Sequence, residues 1–364
     1  MTSPRIRAAS FEDYAEIAAL EARFSLDVRS RAEWSHFWLG NPAFLAMQHD
    51  WPIGWVLEDQ DRIVASMANI PLLYELGGGK ILAATGRGWV AETAYRSHSL
   101  LLLDSVISQP GVDLFVNTTV SPASLPAVEL LNCHRVPVGL WDTSSFWITD
   151  HQGFVESVLR PKTGRLARPL SYPLSVAVSL KDWLARQPVR ERDVELELCA
   201  EFDERFDGFW DDLRRSNPHV LLAARTSQVL RWHFQHVIKR NQLWIVTVKD
   251  RARISAYCIF DVSNNLKSGM KRARLIDFQT LDGGTEVLSP MLLWALKKCR
   301  SDAIHILECT GRWIEENELI FAAAHTRRLS AWSYYYRANN PTLATTLTDS
   351  RAWRPTLLDG DASL

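Results

Sequence analysis

The strongest constraint in this sequence is an internal repeat. Two β-rich runs, Gly54 to Glu58 and Arg62 to Met67, flank the polar turn Asp59-Gln60-Asp61. The same arrangement returns as Leu243 to Val248 and Arg253 to Phe260 around Lys249 to Ala252. Trp55, Asp61, Arg62 and Ser66 recur as Trp244, Asp250, Arg251 and Ser255 at one constant offset. The elements around each hairpin follow one order too: helices before it, then a third strand, a helix, a buried strand and another helix. A long-period repeat of this kind is one supersecondary plan used twice, and the mixture of strands and helices makes each copy α/β.

In the first copy a short strand within the opening run Arg5 to Ser10 leads to Ser10-Phe11-Glu12-Asp13, an N-cap followed by acidic residues that complement a helix dipole, and the helix runs to about Phe24. A second helix covers Arg31 to Leu39. A strand near Ile81 to Thr93, broken by Gly86 and Gly88, is followed by a helix from Ser99 to Ile107, a buried strand from Val112 to Asn117, a helix through Leu131 and a closing strand from Leu140 to Thr149. The second copy reads as helices at Asp203 to Arg215 and Ser227 to Lys239, a strand at Arg274 to Thr280, a helix at Val287 to Cys299, a strand at Ala303 to Glu308 and a helix at Ile314 to Ala324. Between the copies, Pro161, Pro169, Pro173 and Pro188 with the basic residues Lys162, Arg165 and Arg168 exclude any regular element longer than one helix and predict a connection. The expected division is residues 1–150, a connecting segment 151–197, a second domain 198–345 and a tail 346–364.

The 364 residues are 47% hydrophobic and 23% charged, as in a globular protein. Forty-one Lys and Arg against forty-two Asp and Glu leave a net charge of −1, so the chain lacks the broad cationic field on which sequence-independent nucleic-acid binding relies. Five cysteines with no C-x-x-C pair give neither a disulfide framework nor a zinc site. No apolar run approaches the ~20 residues of a membrane span, and the acidic start has no signal-peptide character, so a cytoplasmic protein without membrane insertion is expected. His233 and His236, three residues apart on one helix, have no cysteine or carboxylate nearby in sequence to complete a metal set and read as a surface pair.

The order of elements in each half resembles the GNAT superfamily of acyl-CoA-dependent N-acyltransferases, and the tandem arrangement is similar to that of Fem-type aminoacyltransferases. The resemblance implies two GNAT-like domains, each a mixed, mostly antiparallel sheet flanked by helices. In that family a central strand ends in R-x-x-G-x-G/A, whose amides hold the coenzyme A pyrophosphate at a helix start, where unpaired N–H groups and the helix dipole favour an anion. The matching stretch is Arg96-Ser97-His98-Ser99-Leu100-Leu101. Arg96 agrees, while Ser99 and Leu101 replace the small residues. The implied ligand is acetyl-CoA or another acyl-CoA, held by these six residues. The second half ends its strand in Leu281-Asp282-Gly283-Gly284, without the arginine and with acidic neighbours, which makes the first half the expected donor site. The family's later tyrosine, which protonates the departing thiolate, is replaced by Leu131.

Acyl transfer to an amine needs a proton acceptor and a donor to the acyl oxygen. Glu92, ending the strand beside the implied acyl site, is the candidate base. Asn117, with Thr118 and Thr119, is placed to offer side-chain donors to the acyl arm. Asp277 is the counterpart of Glu92 in the second half, or else the partner of a buried arginine such as Arg274. No metal site is expected. The acceptor implied by the resemblance is a small amine bound between the domains. The closing segment Trp353 to Asp361 resembles tails of bacterial tandem proteins that accompany surface-polysaccharide synthesis, which implies an amino sugar. Two further readings stay open: aminoacyl transfer from transfer RNA, and a degenerate acyltransferase fold that serves as a binding or scaffold module.

Overall fold

Alternating apolar residues make the strands, and the polar turns between them fix the register. In the first hairpin Gln60 and Asp61 adopt φ values of 50° and 57°, the left-handed pair of a type I′ turn that matches strand twist. The computed structural model describes residues 4–47, 50–185, 194–250, 253–328 and 333–364. Arg251, one of the repeated residues, lies outside them. Fifteen strands occur among the described residues. The first seven are β1 (Arg5–Ala8), β2 (Gly54–Asp59), β3 (Arg62–Leu76), β4 (Gly79–Ala91), β5 (Leu114–Asn117), β6 (His134–Arg135) and β7 (Leu140–Ile148). The others are β8 (Leu196–Cys199), β9 (Leu222–Ala223), β10 (Leu243–Asp250), β11 (Arg253–Asn264), β12 (Lys271–Thr280), β13 (Ile306–Gly311), β14 (His325–Arg328) and β15 (Tyr335–Ala338).

They form two sheets in the orders β1-β2-β3-β4-β5-β15-β6, with β9 added beside β3, and β8-β10-β11-β12-β13-β7-β14. Position by position the two orders correspond, which is the repeat realised in three dimensions. Both sheets are antiparallel except at one place. The β4–β5 pair is parallel through Ala83↔Leu114 and Ala84↔Phe115, and its counterpart β12–β13 is parallel through Arg272↔Ile306 to Arg274↔Glu308.

The sheets do not respect the division expected from sequence. β7, read as the closing strand of the first domain, lies in the second sheet between β13 and β14. β15, from the second half, takes the equivalent place in the first sheet between β5 and β6. Each half thus lends one strand to the other. The segment 151–185 also differs from expectation: it is a hairpin of two helices, His151–Thr163 and Ala167–Ala185, linked by the single turn Gly164–Leu166. Pro169 lies in the first turn of its helix, where no N–H bond is needed, and Pro173 removes only one bond from a long helix that continues on both sides.

The larger of two apolar clusters is shared by the halves. It joins Trp38, Leu102 and Phe115 of the first half to Phe206, Leu230 and Trp353 of the second. The smaller, around Phe260, Leu292 and Trp313, lies under the second sheet. The final residues, expected as a tail, are part of this core, with Trp353, Leu357 and Leu358 all buried. At the junction Arg225, 1% exposed, donates to Asp277 of β12 from Nε and Nη2 at 2.9 and 3.1 Å and to Asp359 of the closing segment at 2.7 Å. Burial by itself raises both carboxyls. The guanidinium and the Tyr257 hydroxyl, at 2.7 Å, pull Asp277 below its ordinary value, whereas Asp359 stays raised. Asp277 is therefore a structural anion paired with Arg225, while Arg274 is taken by Asp261.

Removing one member of a buried ion pair leaves the other charge uncompensated, at a cost of about 3–5 kcal/mol. Arg225→Ala is expected to lose stability on that scale in urea unfolding of the full chain, and Arg225→Lys to recover only part of it, because lysine lacks the fork that spans two carboxylates.

Candidate active site

Where β4 and β5 part company, the first sheet opens. Their pairing ends at Ala84↔Phe115, and Asn117 Nδ2 braces the widening gap by donating to the Gly86 carbonyl at 3.0 Å. On the other side of β4 the register with β3 passes from Ala68↔Arg87 to Ser66↔Val90, so Gly88 and Trp89 form a bulge opposite the single residue Met67. A bulge re-aims the strand at the point where pairing fails. The resulting cleft has a volume of about 860 Å³. Trp89 to Ala91 form one wall and Ser121 to Ala127 the other. Phe24 and Leu26 lie at its rim.

Of the six residues expected to hold coenzyme A, Arg96, Ser97, Ser99 and Leu100 line this cleft, whereas His98 and Leu101 do not. The Leu101 side chain is exposed and stands outside the cleft. The amides of Ser99 and Leu101 are used locally, donating to Tyr95 and His98 carbonyls at 3.0 and 3.1 Å. Those of Ser97, His98 and Leu100 donate to no acceptor among the described residues. Together with the Arg96 guanidinium they offer positive potential at the start of the helix Leu100–Ile107. Ser99 Oγ donates to the Arg96 carbonyl at 2.7 Å and fixes the turn.

The equivalent turn in the second half is closed. Gly283 has φ +72°, and a Cβ there would fall 2.3 Å from Arg354 Nη2, so the Arg354 guanidinium lies directly on it. The Asp282 carboxylate accepts from Thr280 Oγ1 at 2.7 Å and from the Gly284 amide at 2.9 Å. An anion and its own cation already occupy the place where a diphosphate would approach.

The residues singled out for the chemistry are differently placed from expectation. Glu92 is held by the Arg62 fork at 2.5 and 3.1 Å and by Arg23 at 2.9 Å. Arg62 keeps its carboxyl below the ordinary range against the opposing effect of burial, with Arg23 adding to it. Both ends of the Asn117 amide are engaged, because its Oδ1 also accepts from the Thr119 amide at 3.0 Å. The Thr118 and Thr119 hydroxyls both donate to Asp361 of the closing segment. These side chains hold the cleft open and bind the tail to it. His233 and His236 are not a surface pair. His233 Nε2 lies 2.7 Å from Ser363 Oγ, and burial lowers its pKa to about 3. His236 packs edge-on against His36. No group of three metal-binding side chains occurs among the described residues.

Glu21 was not anticipated. On the helix Tyr14–Arg23 the residues turned inward are Ile17, Leu20 and Glu21, and Glu21 is only 5% exposed. Its Oε1 lies over the bulge: a Cβ on Gly88, whose φ is +64°, would come within 2.4 Å of it. No hydrogen bond reaches the carboxylate from the described residues. Burial raises its pKa, opposed by the charges of Arg87 and Arg29. Those two arginines lie over the Phe37 ring at 5.1 and 5.3 Å. Burial lowers the Arg29 pKa to about 10, and its Nε is buried without a partner. The sequence did hold a signal for Glu21, since it stands four residues after Ile17 on the apolar face.

No protein-family model matches the sequence, and no curated protein is similar to it in sequence. Solved structures are similar in fold. N-myristoyltransferase of Saccharomyces cerevisiae with bound myristoyl-CoA aligns at a TM-score of 0.57 and 13% identity over 94% of this chain and 86% of that one. A GCN5-related N-acetyltransferase from Anabaena variabilis aligns at 0.55 and 13% over 93% and 73%. A probable N-acyltransferase from Enterococcus faecalis aligns at 0.56 and 11% over the same shares. These likenesses, together with the two sheets flanked by helices, show that the chain has the two-domain GNAT fold.

Proposed function

We propose that the protein is an N-acyltransferase that takes its acyl group from acyl-CoA bound in the cleft of the first half and passes it to a small amine, with Glu21 as proton acceptor. The observation that carries this reading is a bulge that serves two neighbours: Trp89 lines an open cleft together with a helix start that has unpaired amides, and a buried carboxylate with a raised pKa lies over the adjacent Gly88. The coenzyme A phosphates are assigned to Arg96 and the amides of Ser97, His98 and Leu100. The thioester is assigned to the cleft wall formed by Trp89, Val90 and Ala91. The amine nitrogen attacks the thioester carbon, the C–N bond forms, the C–S bond breaks and Glu21 takes the ammonium proton. The thiolate takes a proton from water, which suits a leaving group with a pKa of about 8.5 and a site that has Leu131 where the family has tyrosine. The residues from Trp353 to Asp361, which implied an amino sugar, are spent on the core, and the acceptor is therefore assigned only as an amine.

A carboxylate whose pKa is raised is a better proton acceptor near neutral pH than one held low by arginines. This is why the base is assigned to Glu21 in place of Glu92. Glu21→Gln is expected to lower kcat/KM with acetyl-CoA and an amine by about a hundredfold or more, and Glu92→Gln to leave it within a few-fold. Equal losses in the two variants refute the assignment.

The sign of the pH effect follows from the raised pKa. The folded state binds the Glu21 proton more tightly than the unfolded chain, so ionised Glu21 destabilises the fold at neutral pH and the penalty disappears as pH falls through its folded pKa. Glu21→Gln is thus expected to raise the melting temperature at pH 7 while abolishing activity. The acid limb of kcat/KM in the unmodified protein is expected above the ordinary glutamate value of about 4.3. Titration calorimetry with coenzyme A tests the donor site: binding is expected, and Ala123→Trp, which fills the cleft from the far wall, is expected to remove it.

A further inference from the structure

The helical hairpin that joins the two halves is inside out. Along the helix Ala167–Ala185 the buried positions are Ala167, Ser171 and Ser175, four residues apart and so on one face. The large apolar residues face the other way. Leu170, Tyr172, Val176, Leu180, Trp183 and Leu184 are between 46% and 71% exposed. A helix that serves only the core of its own domain shows the reverse pattern, and a contiguous apolar face of this kind marks a contact surface.

The charges of the hairpin identify the partner. Its two acidic residues are engaged within the chain: Glu156 by Arg160 at 2.7 Å, and Asp182 by hydrogen bonds with His151 and His325 at 2.7 and 2.8 Å. Lys162, Arg165, Arg168 and Lys181 are exposed, with no ion pair to another described residue. Neither acidic side chain is exposed, so the charges that flank the apolar face at the surface are positive. A second copy docked through this face would meet the same cations and no complementary anion. An anionic bilayer surface complements both features, with acyl chains for the leucines, headgroup phosphates for Lys and Arg, and the boundary between them for Trp183 and Tyr172. No helix among the described residues is long and apolar enough to cross a membrane, so the contact is one of lying on the surface, along a helix of about 28 Å.

We propose that the outward face of the helix Ala167–Ala185 is a docking surface for anionic lipid bilayers. The full chain is tested by flotation with vesicles of phosphatidylglycerol and phosphatidylcholine in equal parts, with pure phosphatidylcholine as the comparison. Binding to the anionic vesicles, weakened by added salt, is expected. The triple variant Val176→Ser, Leu180→Ser, Leu184→Ser is expected to reduce it at least tenfold with a melting temperature changed by no more than a few degrees, because all three residues are more than half exposed. Arg165→Gln with Arg168→Gln, which keeps the apolar face, is expected to weaken binding to anionic vesicles and to lessen its salt dependence. Absence of flotation overturns the proposal, as does equal flotation of the triple variant. A concentration-dependent dimer that the triple variant disperses, without vesicle binding, assigns the face to a second copy and also overturns it.

Discussion

One guanidinium holds the two halves in register. Arg225 reaches Asp277 on the central strand of the second sheet and Asp359 in the closing segment. The carbonyl of Asp359 accepts in turn from Tyr74 of β3 and from Tyr334, next to β15. Two residues further on, Asp361 receives Thr118 and Thr119 at the mouth of the β4–β5 split. A chain of buried polar contacts therefore runs from the middle of the second sheet to the wall of the cleft in the first. Such a network adds little net stability compared with apolar packing, but it admits only one arrangement of its parts. Here that arrangement places the closing segment against the open split.

The same plan, used twice, has been given opposite chemistry at its two splits. Both sheets lose their parallel pairing after two or three residues. In the first half the gap is left to solvent, with unpaired amides along it and a buried carboxylate without a hydrogen-bond donor among the described residues over the neighbouring bulge. In the second half Asp277 is neutralised by Arg225, and the turn at Gly283 is covered by Arg354 and satisfied by Asp282. The Asp282 carboxylate and the Gly284 amide there are already paired, and the Arg354 guanidinium fills the remaining space. Stored cost at one split and satisfaction at the other is the pattern expected when one copy keeps a site and the other serves as its support.

Much of this fold was legible because it rests on local rules. The hairpins, the helices at Arg31, Leu100 and Ser227 and the parallel strands follow from periodicity, caps and turn residues, which act over a few positions. The repeat and the family resemblance supplied the two-domain architecture. What stayed hidden depends on contacts between distant residues. Nothing in the sequence of β7 or β15 says which sheet it joins, since a buried strand reads the same in either. The prolines of the hairpin looked like breaks because their cost is local while the helix is held by its neighbours. Glu92 stands at a strand end, where sequence suggests a free carboxylate, and the arginines that hold it, Arg23 and Arg62, come from other elements. Glu21 required knowing that the helix packs its Ile17 face onto the bulge at Gly88.

The exchange of β7 and β15 has a consequence for the order in which the chain acquires its shape during translation. The first sheet lacks an inner strand until the residues around Tyr335 have been made, and at about 5–20 residues per second that is a wait of tens of seconds after β5 has emerged. Throughout it β5 presents an unpaired edge, while β7 waits beside it for β13. Pairings this distant in sequence are slow to form, and an exposed edge invites association with other nascent chains. The interlocked architecture thus makes the ribosome-bound half-protein a natural client for chaperones, and it ties the birth of the cleft to the last strand of the molecule.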